Sequence, residues 1–263
     1  MSIVACVKVY DGIALGAEGM SQLVSPSRAP GQPPQFIKAF SNARKLFKVG
    51  SSFGVLAYGA GNIGNRSIES FLDDFDARQD LAGQTAERLA GMLLEFMRGP
   101  YDAAFGQSPE AQRPQIGFYL AGYSGQHHLG SEWEFVLPRD AQPRQVRPDD
   151  QLGASWRGVT VPFARLHSGM DPRLMDMLRS QGVPANVLQQ IQTVAARMVS
   201  PIVFDGMPLQ DAIGFCKFVL DITIGMATYE AGVPTCGGRI QVAVITRRGG
   251  FAWVENPTYS LHR

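Results

Sequence analysis

Met1-Ser2-Ile3-Val4-Ala5-Cys6-Val7-Lys8-Val9-Tyr10-Asp11-Gly12-Ile13-Ala14-Leu15-Gly16-Ala17-Glu18 opens the chain, and the reading of this stretch decides the fold. Two apolar runs, 3–9 and 13–17, flank Tyr10-Asp11-Gly12, the turn signature of a β-hairpin. Both faces of each run are mostly apolar, so the hairpin must be covered on both sides. Ser2 stands at its head. If the initiator Met1 is removed, Ser2 carries a hydroxyl and a free α-amine on one residue, a nucleophile with its own base.

The turn sets which residues share a face with Ser2. A two-residue turn at Asp11-Gly12 places Glu18 opposite Ala5, on the face away from Ser2. A three-residue turn over Tyr10-Asp11-Gly12, with Gly12 left-handed as a bulge, places Glu18 opposite Val4, on the Ser2 face. The second register is the expected one.

Working outward, residues 22–40 are rich in Pro, Gly, Ser and Gln and read as a long loop. Strands follow at 45–49 and 53–58. Asn62 is placed to cap a helix through Phe71 and Phe75, and Thr85 to cap a second with Leu89, Met92, Leu93 and Phe96 at helical spacing. Ile116–Tyr123 and Trp133–Leu137 read as strands. Residues 138–153 are polar. Two helices are expected over 171–199, led by Asp171-Pro172 and Pro184, and a long apolar one over 208–230. A hairpin, 240–246 with 251–254, closes the chain. Strand and helix blocks in this order point to antiparallel sheets with helices outside, in one domain over 1–263.

The 263 residues carry a net charge of +1, which leaves no basic footprint for nucleic acid or an anionic membrane. Cys6, Cys216 and Cys236 lie far apart, without metal-ligand spacing or a disulfide framework, as in a reducing compartment. The opening residues lack signal-peptide character, and no uninterrupted apolar run is long enough for a bilayer. A cytoplasmic protein without membrane attachment is expected. His127-His128 reads as a surface pair. Gly59-Ala60-Gly61 has no accompanying Walker lysine.

Ser2, Asp11-Gly12, Glu18, Lys45-Leu46-Phe47, Gly54 with Ala57-Tyr58-Gly59, and Gly237–Arg247 together resemble proteasome β-type subunits and bacterial proteasome-like peptidases, members of the N-terminal nucleophile (Ntn) hydrolases. The match covers the first third of the chain apart from 22–40, and the last fifth. The resemblance implies an α+β fold, a four-layer αββα sandwich with two antiparallel sheets between helical layers. It also implies a ring of like subunits, a peptide or unfolded-protein substrate with room for an ATPase unfoldase as partner, and a chemistry without metal or organic cofactor.

By the same resemblance Ser2 is the nucleophile, Lys45 the lysine beside it, Glu18 the carboxylate that holds Lys45, and Gly59 the oxyanion-hole N–H. A buried ammonium near Ser2 stabilises the deprotonated hydroxyl and lowers the pKa of a neighbouring amine. One oxyanion donor is worth about 2.7–4 kcal/mol in other enzymes. Arg44 competes with Lys45 for register.

The chain also departs from the family. An expected Asp and Ser are Val233 and Cys236, with Glu230 and Thr235 the polar alternatives nearby. An expected Arg is Met20, and the serine of a Gly-Ser-Gly turn has only Ser155 and Ser168 as counterparts. The leading reading is a self-compartmentalising threonine-type peptidase with an N-terminal Ser. Its alternatives are a catalytically inactive ring-forming subunit and an Ntn amidohydrolase for a small amide.

Overall fold

The computed structural model describes residues 2–25, 35–124 and 128–256, so Met1 and His127 lie outside the described residues. Strands β1 (Ile3–Val9) and β2 (Gly12–Ala17) form the opening hairpin, and every residue in both is buried. Val4, Cys6, Ile13, Leu15 and Ala17 face a second sheet. Ile3, Ala5, Val7, Val9 and Ala14 face helices. Two covered faces explain why the sequence shows no apolar–polar alternation there.

The turn is neither of those expected. It spans Tyr10-Asp11, pairing Val9 with Gly12 and Val4 with Ala17, and Glu18 N donates to Ile3 O at 3.3 Å. Gly12 is the first residue of β2 and is not left-handed. Packing selects it: a Cβ there would lie 2.9 Å from both Ile245 O and Leu209 Cδ2. The Asp-Gly pair marks a hairpin, but tertiary crowding rather than turn chemistry accounts for its glycine.

The loop expected over 22–40 is also corrected. β3 (Ser21–Ser25) and β4 (Gln35–Phe40) pair as a separate two-stranded arm. Its apolar side chains, among them Leu23 and Ile37, stay exposed. The prolines and glycine that suggested a loop fall between the two strands.

Beyond the arm come β5 (Leu46–Val49), β6 (Phe53–Gly59) and the short β7 (Asn62–Ile63) and β8 (Arg66–Ser67). Helix α1 (Ile68–Arg78) is capped by Ser67, whose Oγ accepts from Ser70 N at 3.2 Å, and not by Asn62, which lies in β7. Thr85 caps α2 (Ala86–Phe105), accepting from Arg88 N at 3.2 Å. β9 (Ile116–Gly122), β10 (Ser131–Leu137), β11 (Arg144–Gln145) and β12 (Gly153–Gly158) follow. The last of these was not anticipated, nor was α3 (Val161–Ser168). Helices α4 (Leu174–Ser180), α5 (Ala185–Ala196) and α6 (Leu209–Tyr229) precede the closing hairpin of β13 (Gln241–Thr246) and β14 (Gly250–Glu255).

The strands build two five-stranded antiparallel sheets, β12-β1-β2-β13-β14 and β11-β10-β9-β6-β5. Between them lies an apolar layer that includes Leu15, Leu46, Leu56, Tyr119 and Ile245. α1 and α2 cover the outer face of the second sheet through Phe71, Phe75, Leu89 and Leu93. α3 and α6 cover the first. The architecture is a four-layer αββα sandwich, two antiparallel sheets between helical layers. α6 is long and apolar enough to cross a bilayer by length and composition, contrary to expectation. Its buried stripe of Ala212, Cys216, Val219, Leu220 and Ala227 packs on the first sheet.

Truncating the inter-sheet Leu15 to Ala should cost about 2–5 kcal/mol in denaturant unfolding. Leu23→Ala, on the exposed arm, should stay within about 0.5 kcal/mol. Equal losses would show that the arm packs as core.

Candidate active site

Ser2 is fixed by the edge of the first sheet. β1 pairs with β12, Ile3 opposite Gly158, and Val159 N donates to Ser2 O at 2.7 Å. Gly158 has a φ of 94°, and a Cβ on it would come within 1.7 Å of Ser2 O. Only glycine lets the ladder run to Ser2. Gly59 ends β6 with the same φ, where a Cβ would lie 2.3 Å from Gln115 O. Ser2, Lys45, Ala57, Tyr58 and Gly59 line one cleft of about 130 Å³. Ser2 itself is buried.

Lys45 immediately precedes β5, and its ammonium donates to Glu18 Oε1 and to Met20 O. Glu18 is fully buried. Its other oxygen accepts from Met20 N at 2.7 Å and from Gly237 N at 3.0 Å. By strict alternation, a residue opposite Ile3 would point away from Ser2. The strand ends at Ala17, so alternation no longer governs Glu18. Burial lowers the Lys45 pKa, and the Glu18 charge opposes that shift.

Arg44 does not take this place. Its guanidinium stacks over Phe47 and Trp253 and lies 3.7 Å from Glu69. It lines the same cleft.

Gln241 is a residue that the sequence reading missed. Its Oε1 accepts from Lys45 N at 3.0 Å and from Leu46 N at 3.1 Å, and its Nε2 donates to Ala43 O at 2.7 Å. One buried amide thus fixes the backbone on which Lys45 is mounted. The available signal was a polar side chain heading the otherwise apolar run Val242–Ile245.

The departures also have places. Met20 supplies backbone N–H and C=O to the Glu18–Lys45 pair. Cys236 is buried beside them, with Sγ 3.7 Å from Thr223 O. Burial pushes its thiol up to about 11, with the Glu18 charge adding to the rise. Val233 and Glu230 are exposed. Ser155 Oγ bonds Arg147, and Ser168 Oγ donates to Ala164 O at 2.6 Å and Met170 O at 3.0 Å at the end of α3. Neither serine joins the cleft lining. His128 is exposed and lies 3.1 Å from an Arg247 nitrogen.

No protein-family model matches the sequence, and no curated protein matches it. Solved structures do. The chain is similar in fold to Anbu. Anbu (ancestral beta-subunit) from Yersinia bercovieri aligns with a TM-score of 0.52 at 11% identity, over 96% of this chain and 87% of that one. The helical assembly of the Anbu complex from Pseudomonas aeruginosa aligns with 0.56 at 13% identity, over 96% and 86%. Anbu is proteasome-like but distinct, which corrects the resemblance to proteasome β-type subunits. The reason lies in where the motif residues sit. The hairpin residues and Gln241–Thr246 build adjacent central strands of the first sheet, so they report the fold and not the branch.

Lys45→Met would leave Glu18 buried without its cation. It should cost about 3–5 kcal/mol in urea unfolding, and adding Glu18→Gln should recover part of that loss. Additive losses would show that the two side chains do not act as a pair.

Proposed function

We propose that this protein is an Ntn hydrolase of peptide or amide bonds in which Ser2, exposed by removal of Met1, is the nucleophile. The observation that carries this reading is the convergence of Ser2, Lys45 and Gly59 on one cleft, with the Lys45 ammonium held by a fully buried Glu18. The Ser2 α-amine takes the hydroxyl proton, through a water, as Oγ attacks the carbonyl. The Lys45 charge stabilises the forming alkoxide, and the Gly59 N–H the tetrahedral oxyanion. The amine then gives its proton to the leaving amine, and water hydrolyses the ester.

Copies of the chain are proposed to associate, as in the helical Pseudomonas assembly. Exposed apolar residues on α6 (Phe218, Met226) and on the β3–β4 arm offer area for this. A second reading, a non-catalytic assembly subunit, is favoured by one observation: a buried Cys236 stands beside the Glu18–Lys45 pair, where the sequence resemblance leads to the expectation of a serine.

Intact mass separates the two readings. Loss of Met1 together with covalent labelling by a β-lactone, abolished in Ser2→Ala, is the expected result. Retained Met1 on every chain, or labelling that survives Ser2→Ala, would sink the nucleophile.

The labelling rate should follow a bell in pH. It rises as the amine loses its proton near its ordinary value of about 7.7–8.0, or below it beside the Lys45 charge. It falls again as Lys45 deprotonates, below the usual ammonium value of 10.5 because burial lowers that pKa. A rate flat from pH about 6 to 10 would argue against an amine base.

A further inference from the structure

Ser2 and Gly59 belong to two cavities. The second, of about 350 Å³, is also lined by Glu134, Arg139, Arg144 and Arg157. Three guanidinium groups therefore line the cavity beside the nucleophile position, balanced by two carboxylates, Glu134 and Asp140. Glu134 is fully buried on β10. Arg157 of β12 reaches one of its oxygens at 2.6 Å, and Arg144 of β11, directly across the ladder, pairs with the other. Arg139 is held by Asp140, with Nε at 2.7 Å from Oδ1 and Nη2 at 3.0 Å from Oδ2.

These contacts fix the guanidinium planes without using all their donors. Arg157 commits Nε to Glu134 and Nη1 to Trp156 O at 2.9 Å. Among the described contacts its Nη2 remains, as does Nη1 of Arg139. Arg144 reaches Glu134 through Nη2. A buried carboxylate that satisfied its cations would need one arginine. Arg144 and Arg157 share Glu134 and Arg139 is paired with Asp140, so three guanidinium charges meet two carboxylates and the lining keeps one net positive charge for something that enters.

We propose that this cavity is the anion subsite of the active site and that the preferred substrate carries a carboxylate, as an Asp or Glu side chain or a terminal carboxyl, next to the amide presented to Ser2. The inference rests on the Ser2 reading for the position of the amide but not for the anion contacts. Guanidinium forks match carboxylate geometry with paired N–H donors. Tyr58 lines both cavities. Burial pushes its phenol up to about 12, so it stays a neutral donor at the junction.

Calorimetry on the full chain carrying Ser2→Ala tests the subsite without turnover, using acetyl-Ala-Glu-Ala-amide and its Gln counterpart. The Glu peptide should bind about tenfold more tightly at low salt. The ratio should fall as salt is raised and collapse towards one in Arg144→Gln or Arg139→Gln, both partly exposed side chains. Equal affinities for the two peptides, or a preference untouched by both substitutions, would overturn the proposal. Selective binding with no Ser2-dependent hydrolysis in the parent chain would leave the subsite standing and remove the nucleophile.

Discussion

The requirement that both faces of each central strand be covered governs the rest of this structure. β1 and β2 bury every residue, so side chains inside the sandwich must be apolar or completely paired. Chemistry is then confined to strand ends, where the ladder stops and backbone groups turn outward. Ser2 is at such an end, and Gly59 and Lys45 sit at the ends of β6 and β5 on the facing sheet. The two sheets bring three ends together that no one sheet could.

What could be read from the sequence follows the same physics. The hairpin, the Thr85 cap and the apolar helix α6 announce themselves through local pattern, because turn chemistry, capping and periodicity act over a few residues. The register of the first hairpin does not. Gly12 answers to Ile245 and Leu209, more than 190 residues away. β12 was hidden for the same reason. Gly153–Gly158 has two glycines and mixed polarity, and becomes a strand because the exposed edge of β1 pairs with it. Gln241 showed in the sequence only as a polar residue heading an apolar run, since its three bonds all go to residues 43–46, nearly 200 positions away, where β5 begins.

The candidate site is held more by backbone than by the side chains that a motif would show. Met20 stands where a charged residue was expected, yet its N–H and C=O contact both members of the Glu18–Lys45 pair. Gly237 adds another N–H. A carboxylate accepting two N–H groups needs no arginine to be satisfied. Side-chain departures at such positions therefore say little about whether the backbone-held geometry is kept.

A second buried lysine–glutamate pair shows why burial alone does not mark the site. Lys8 and Glu132 are both fully buried, 3.7 Å apart, with Arg147 on the same carboxylate. Tyr119 OH donates to Glu132 at 2.5 Å, and Cys6 Sγ lies 3.2 Å from it. The Lys8 ammonium also donates to the carbonyls of Gly130, Pro148 and Asp149 at 3.0, 3.3 and 3.4 Å. An ammonium has three protons, so Lys8 has none to offer a substrate; burial lowers its pKa and the Glu132 charge opposes that shift. Lys45 has two acceptors among the described residues and lines a cleft. Its third proton has no acceptor among the described contacts, and this spare donor at a cleft that Ser2 also lines, rather than the salt bridge itself, distinguishes Lys45 from Lys8.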